Sequence, residues 1–187
     1  MVNLLDDPDY QNSHIVALAD QYVQMLEKIS LRRSAWQRNK QVLLQILQQI
    51  EKEVELDWQV RTNNEYSNME QVSLSFPLKQ LGIHYEDKFT RENKSYFMKG
   101  GGLNYSQMAN GMIHVWVSMP TVDELREYIG EPPVIGIIDP AQLNSKLIIK
   151  HIEKFLKYVL LWDEEGDYGY DLEMLTIPAT AGTPPNT

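Results

Sequence analysis

The apolar positions of this chain follow two different periods. Ile15, Leu18, Tyr22, Met25, Ile29, Arg32, Trp36, Asn39, Leu43, Ile46 and Ile50 recur at alternating spacings of three and four, and all but Arg32 and Asn39 are apolar or aromatic. No Gly or Pro interrupts the run. This spacing predicts a helix with a narrow buried stripe, the seam of a coiled coil. In its second half Gln37, Gln41, Gln45, Gln48 and Lys52 follow the face opposite Leu43, Ile46, Leu47 and Ile50, as amphipathicity requires. With Asp7-Pro8 or Ser13 as its start, the helix covers about 8–53. It would extend roughly 60 Å at 1.5 Å per residue, further than the rest of the domain reaches. Part of it must therefore project, or fold back at a break near Ser30 to Ser34, and the stripe needs a partner.

The period then changes to two. Val54, Leu56, Trp58 and Val60 alternate with Glu55, Asp57, Gln59 and Arg61, which predicts a half-buried strand. Val72, Leu74 and Phe76 alternate with serines in a second strand, which Pro77 ends. The stretch 78–93 is polar and irregular. A third strand is expected over 96–99, with Gly100, Gly101 and Gly102 as a flexible turn after it. In the next strand, 112–119, Ile113, Val115, Val117 and Met119 share one face. Thr121 and Glu124 read as a capping box for a short helix closed by Gly130. Val134 to Ile138 is expected to be a strand covered on both faces. Asp139-Pro140 opens a last helix over about 140–162, with Ile148, Ile152, Phe155, Val159 and Trp162 as its stripe. The fold class expected is α+β: a long amino-terminal helix, a mainly antiparallel sheet of about five strands, and a carboxy-terminal helix packed on it. Residues 1–175 form one domain, and 176–187, small and Pro-rich, a flexible tail.

Composition narrows the function classes. The 187 residues include no cysteine, which removes disulfides, thiolate metal sites and a cysteine nucleophile. A net charge of −9 argues against nucleic acid, whose phosphates are met by clustered Lys and Arg. No window of about 18 apolar residues and no signal-type start is present, so a cytoplasmic protein without membrane attachment is expected. Charge is nevertheless uneven. Lys28, Arg32, Arg33, Arg38 and Lys40 cluster on the long helix, whereas Asp163, Glu164, Glu165, Asp167, Asp171 and Glu173 crowd together near the end.

No motif names a reaction, a metal or a cofactor, and no catalytic, cofactor-binding or metal residue is assigned. His84 with Glu86 and Asp87 is the nearest approach to a ligand cluster. The glycines at 100–102 lack the strand-before, helix-after context of a phosphate loop. The more specific signal is polar. Arg32 and Asn39 interrupt the seam on either side of Trp36, and polar seam residues fix register and chain number. Ile29, Arg32, Trp36, Asn39 and Leu43 are therefore the candidate interface. The function expected is a non-enzymatic interaction or adaptor protein, homodimeric through its first helix. The competing expectation is a small-molecule binder or enzyme with a pocket between the sheet and the last helix, lined by Tyr96, Tyr105, His114 and Trp116.

Overall fold

The structure, a computed structural model, describes residues 8–11, 14–55, 57–122 and 131–164. A four-residue helix α1 (Pro8–Gln11) precedes α2 (Ile15–Glu53), which runs unbroken through Ser30 to Ser34. Six strands follow: β1 (Gln59–Asn63), β2 (Gln71–Ser75), β3 (Lys79–Glu86), β4 (Asn93–Gln107), β5 (Ile113–Val122) and β6 (Val134–Ile138). A 3₁₀ turn (Pro140–Gln142) leads into α3 (Ser145–Glu164). All strand pairs are antiparallel, in the order β1-β2-β4-β5-β6 with β3 also on β4. The class is the α+β arrangement that the two periods imply.

The sheet buries one face. Val72 and Leu74 of β2, Leu103 and Tyr105 of β4, and Ile113, Val115 and Val117 of β5 pack against Trp36, Leu43 and Leu47 of α2 and Ile148, Ile152 and Phe155 of α3. Strand periodicity sends every second residue inward and helical periodicity lays a stripe over them. The last helix differs in one detail from the sequence reading. Asp139 caps the 3₁₀ turn through Ala141 N–H, whereas Asn144 Oδ1 accepts from Leu147 N–H at 3.0 Å and opens α3 five residues later.

Three strand expectations need correction. The first strand begins at Gln59 rather than Val54, because α2 unwinds through Glu55 and Asp57, both at positive φ. The stretch 78–93, expected to be irregular, contains β3, paired with β4; Leu81, Ile83 and Tyr85 alternate there with Gly82, His84 and Glu86, a period of two that the polar flanks obscure. The glycines do not reverse the chain: β4 continues through them. Ser75 faces Gly102 and Lys79 faces Met98, so β2 and β3 form one line interrupted at 76–78, where Pro77 has no N–H to give. Gly100 and Gly101 take positive φ beside that interruption, and a Cβ on Gly101 would lie 2.8 Å from the Phe76 ring. The glycines make room for an aromatic ring.

β6 is also an edge strand with one open face. Val134 and Ile137 are more than half exposed, not covered as expected. Thr121 and Val122 continue β5; the remainder of the short helix expected there, 123–130, and the tail 176–187 lie outside the described residues.

The β4–β5 turn touches α2 so closely that Gly111 has no space for a side chain. Its φ is 78°, and a Cβ would stand 2.9 Å from Arg32 Cβ and 3.1 Å from the Ile29 carbonyl. Gly82 has a similar φ of 73° but nothing within 4 Å. Gly82→Ala should lower stability by about 1 kcal/mol from backbone strain alone. Gly111→Ala should lower it by about 2 kcal/mol or more, since helix or turn must also move. Equal denaturation midpoints for the two variants would contradict this packing.

Candidate functional site: a half-covered helix

The five candidate interface residues meet partners within their own chain. Trp36 is fully buried and its indole N–H donates to Glu70 Oε2 at 3.0 Å. Leu43 is buried in the core, and Asn39 donates to the Pro140 carbonyl at 2.7 Å. Arg32 pairs with Asp139 at 3.1 Å and donates to the Asn110 carbonyl, while Arg33 donates to that of Ala109. Ile29, half-buried, has its carbonyl over Gly111. The polar breaks in the seam therefore fix the register of α2 on its own sheet. An interface between chains centred on Trp36 is not what the geometry offers.

Glu70 holds this seat, and sequence gives no sign of it because the residue stands in a loop before β2. Its carboxylate accepts from Trp36, from Gln37 at 3.1 Å and from Lys40 at 2.5 Å. Burial on its own would raise this carboxyl. The hydrogen bonds from Lys40 and Gln37, the Lys40 charge and the Trp36 bond outweigh it and hold Glu70 below the ordinary carboxylate value.

Among the described residues nothing covers the other half of α2. Buried residues of this helix begin at Ala35. Before them Ile15, Leu18, Tyr22 and Met25 continue the seam at 45–59% exposure, accompanied by Val16, Val23 and Leu26. The sheet ends at the 108–112 turn gripped by Arg32 and Arg33, so it offers nothing further for the helix to lie on.

The four candidate pocket residues are not brought together. Tyr105 faces the core, its hydroxyl 3.2 Å from His151 Nδ1 on α3. His114 and Trp116 point to the opposite side of the sheet, stacked with centroids 6.4 Å apart. They border a shallow groove of about 350 Å³ with Glu131, Pro132 and Val134. Trp116 donates to Ser106 there, next to a polar ladder of Gln71, Asn104 and Ser118. Tyr96 lies on the part of β4 that pairs with β3. His84, Glu86 and Asp87 engage Ser95, Arg91 and Lys94 respectively, and among the described residues no three His, Asp or Glu side chains converge.

A larger concavity of about 470 Å³ does open between the sheet and the carboxy-terminal part of α3. Its apolar wall is Trp58, Phe76, Pro77, Leu78, Met98 and Val159. Behind it Trp58, Phe76 and Phe155 meet at centroid distances of 5.6–6.2 Å. Among the described residues no helix is long and apolar enough to cross a membrane. Comparison with protein-family models, with curated proteins and with solved structures finds no match.

Two groups at the helix–sheet contacts contribute to the acid response. Burial, and secondarily the Lys154 charge, push His151 from 6.5 down to about 4. The unfolded chain therefore takes up this proton first, and stability should fall as pH drops from 6.5 through 4. Glu70 is depressed, so its contribution is complete above 4.5 and lost only as pH falls below that. His151→Gln should flatten the upper limb of a plot of Tm against pH and leave the lower one. An unchanged upper limb would remove His151 from this role.

Proposed function

We propose that this chain is a non-enzymatic interaction protein that pairs with a second copy through 15–29 of α2. The observation that carries the reading is the exposed continuation of the seam. Ile15, Leu18, Tyr22 and Met25 hold the same spacing as the buried Trp36 and Leu43, yet the sheet does not reach them. Such a stripe on a regular helix is what a facing helix covers. Asp20, Glu27 and Lys28 lie off it, so pairing leaves their charges in water. Covering the stripe removes on the order of 600 Å² from each copy, at the lower edge of stable interfaces. The seat on Glu70 makes the projecting half an extension of a fixed rod, which lowers the entropy lost on pairing. In this reading α2 is the assembly element of an adaptor, and its assembly half stands apart from the core.

Because the stripe is exposed, it can be changed without disturbing the fold. Leu18→Asp with Met25→Asp should weaken pairing at least roughly a hundredfold, since each carboxylate would be buried unpaired. Light scattering at micromolar concentration should then show a lower average mass, with the circular dichroism of the folded chain retained. Trp36→Asp, by contrast, should unfold the chain. An unaltered mass for the Leu18–Met25 double variant would defeat the reading.

A further inference from the structure

The face of α2 that carries the stripe changes occupant at one place. From Arg32 onward it looks onto its own chain: Arg32 bonds Asp139, Asn39 bonds the Pro140 carbonyl, and Trp36, Leu43 and Leu47 enter the core. The 108–112 turn closes this end of the sheet. Gly111 lies against Arg32 and the Ile29 carbonyl, while the carbonyls of Asn110 and Ala109 accept from Arg32 and Arg33. α3 runs the other way, with Val159 beside Trp58, Phe76 and Met98 at the far end of the sheet. A helix laid along 15–29 therefore has room to continue in one direction only. Past Ile29 its line is filled by this molecule's own turn and strands.

That restriction decides how two copies pair through 15–29, the contact proposed above and the one on which the orientation rests. A parallel pair sets equal positions side by side, so each seam continues towards the partner beyond Arg32. Paired helices lie about 8–10 Å apart, and both sheets would have to share that gap. Parallel pairing also brings Lys28, just before the seam residue Ile29, to Arg33 of the partner, just after its Arg32; these flanking positions face each other in a parallel pair, and both are basic. We infer that the two helices run antiparallel about a two-fold axis at Tyr22. Tyr22 meets its own copy, Leu18 meets Met25 of the partner, and Ile15 meets Ile29 of the partner, each contact made twice as a two-fold interface requires. Lys28 then lies by Val16 of the partner, away from like charge. The 108–112 turn is the stop that sets the register. One heptad further, the partner's first turn would strike Gly111 and Arg32; one heptad back, only 15–22 would overlap. The two sheets stand at opposite ends of the paired segment, and the start of each α2 abuts the other copy's 108–112 turn.

The chain has no cysteine, so single introduced thiols in the full-length protein report the arrangement. Tyr22→Cys should oxidise to a covalent dimer. Leu18→Cys and Met25→Cys should each fail to do so alone, because like positions lie roughly 10 Å or more apart along the axis at 1.5 Å per residue, and a disulfide needs Cα atoms within about 7 Å. An equimolar mixture of these two variants should give the mixed covalent dimer. Gln41 is exposed and away from the contact. Spin labels on Gln41→Cys should stand roughly 60 Å apart in the dimer. Self-crosslinking of Leu18→Cys and Met25→Cys, or a clearly shorter label distance, marks a parallel pair; it overturns the orientation and leaves pairing through α2 standing. A dimer that crosslinks at none of the three positions places the contact elsewhere and overturns both. So does a chain that stays monomeric by light scattering under reducing conditions.

Discussion

The Glu70 carboxylate decides where α2 sits, and everything exposed about this molecule follows from that seat. Three donors from one helix, Trp36, Gln37 and Lys40, converge on it from a loop that would otherwise be free to move along the rod. Lys40 and Glu70 are both largely buried, so neither can leave without stranding a charge out of water. The Arg32 pair with Asp139 and the Asn39 bond to the Pro140 carbonyl fix the same register from the other side of the sheet. With the helix clamped between Arg32 and Leu47, its 39 residues cannot slide to cover more of their own stripe.

A seam normally implies one partner along its length, but here the same spacing meets two environments. From Trp36 onward the knobs enter a β-sheet whose inward residues, Val72, Tyr105 and Ile113 among them, take the place of a facing helix. The polar members of the seam lie where the sheet stops and loop carbonyls begin, which is where a guanidinium and an amide find acceptors. Arg32 remains partly open to solvent, and this lowers the desolvation penalty a fully buried guanidinium would carry. Before Arg32 the spacing persists without the sheet. A helix covered entirely by its own chain has no need of such a continuation, and this makes the exposed half meaningful.

Much of the fold was legible because burial imposes a period. The stripes of α2, β2, β5 and α3 were readable from apolar spacing alone, and the core residues Leu74, Val115, Ile148 and Phe155 sit where that spacing puts them. The failures have separate causes. β3 alternates Leu81, Ile83 and Tyr85 with Gly82, His84 and Glu86, but the period covers only three apolar positions between polar flanks and was lost among them. The glycines of β4 suggested reversal because positive φ is common in turns, yet what they answer to is the Phe76 ring, a contact set by a residue 25 positions away. For the site, the sequence marked Trp36, Arg32 and Asn39 as special but could not say whether their partner was the same chain. Nothing in the spacing could reveal Glu70.

The exposed half of α2 and the β3–β4 pair leave the sheet at opposite ends. β4 runs from its pairing with β3 at Asn93 to the turn at Gln107, while α2 passes that turn at Arg32 and ends near β1 at Glu53. The free half of α2 therefore extends beyond one end of the sheet and the β3–β4 pair beyond the other. If the exposed half of α2 pairs with its like about a two-fold axis, as proposed, that axis lies beyond the 108–112 turn, away from the sheet. Rigidity of the seat would then matter beyond stability, because the angle between the two sheets would be transmitted through α2. Loosening the clamp at Glu70 would change that angle before it changed the affinity of the contact.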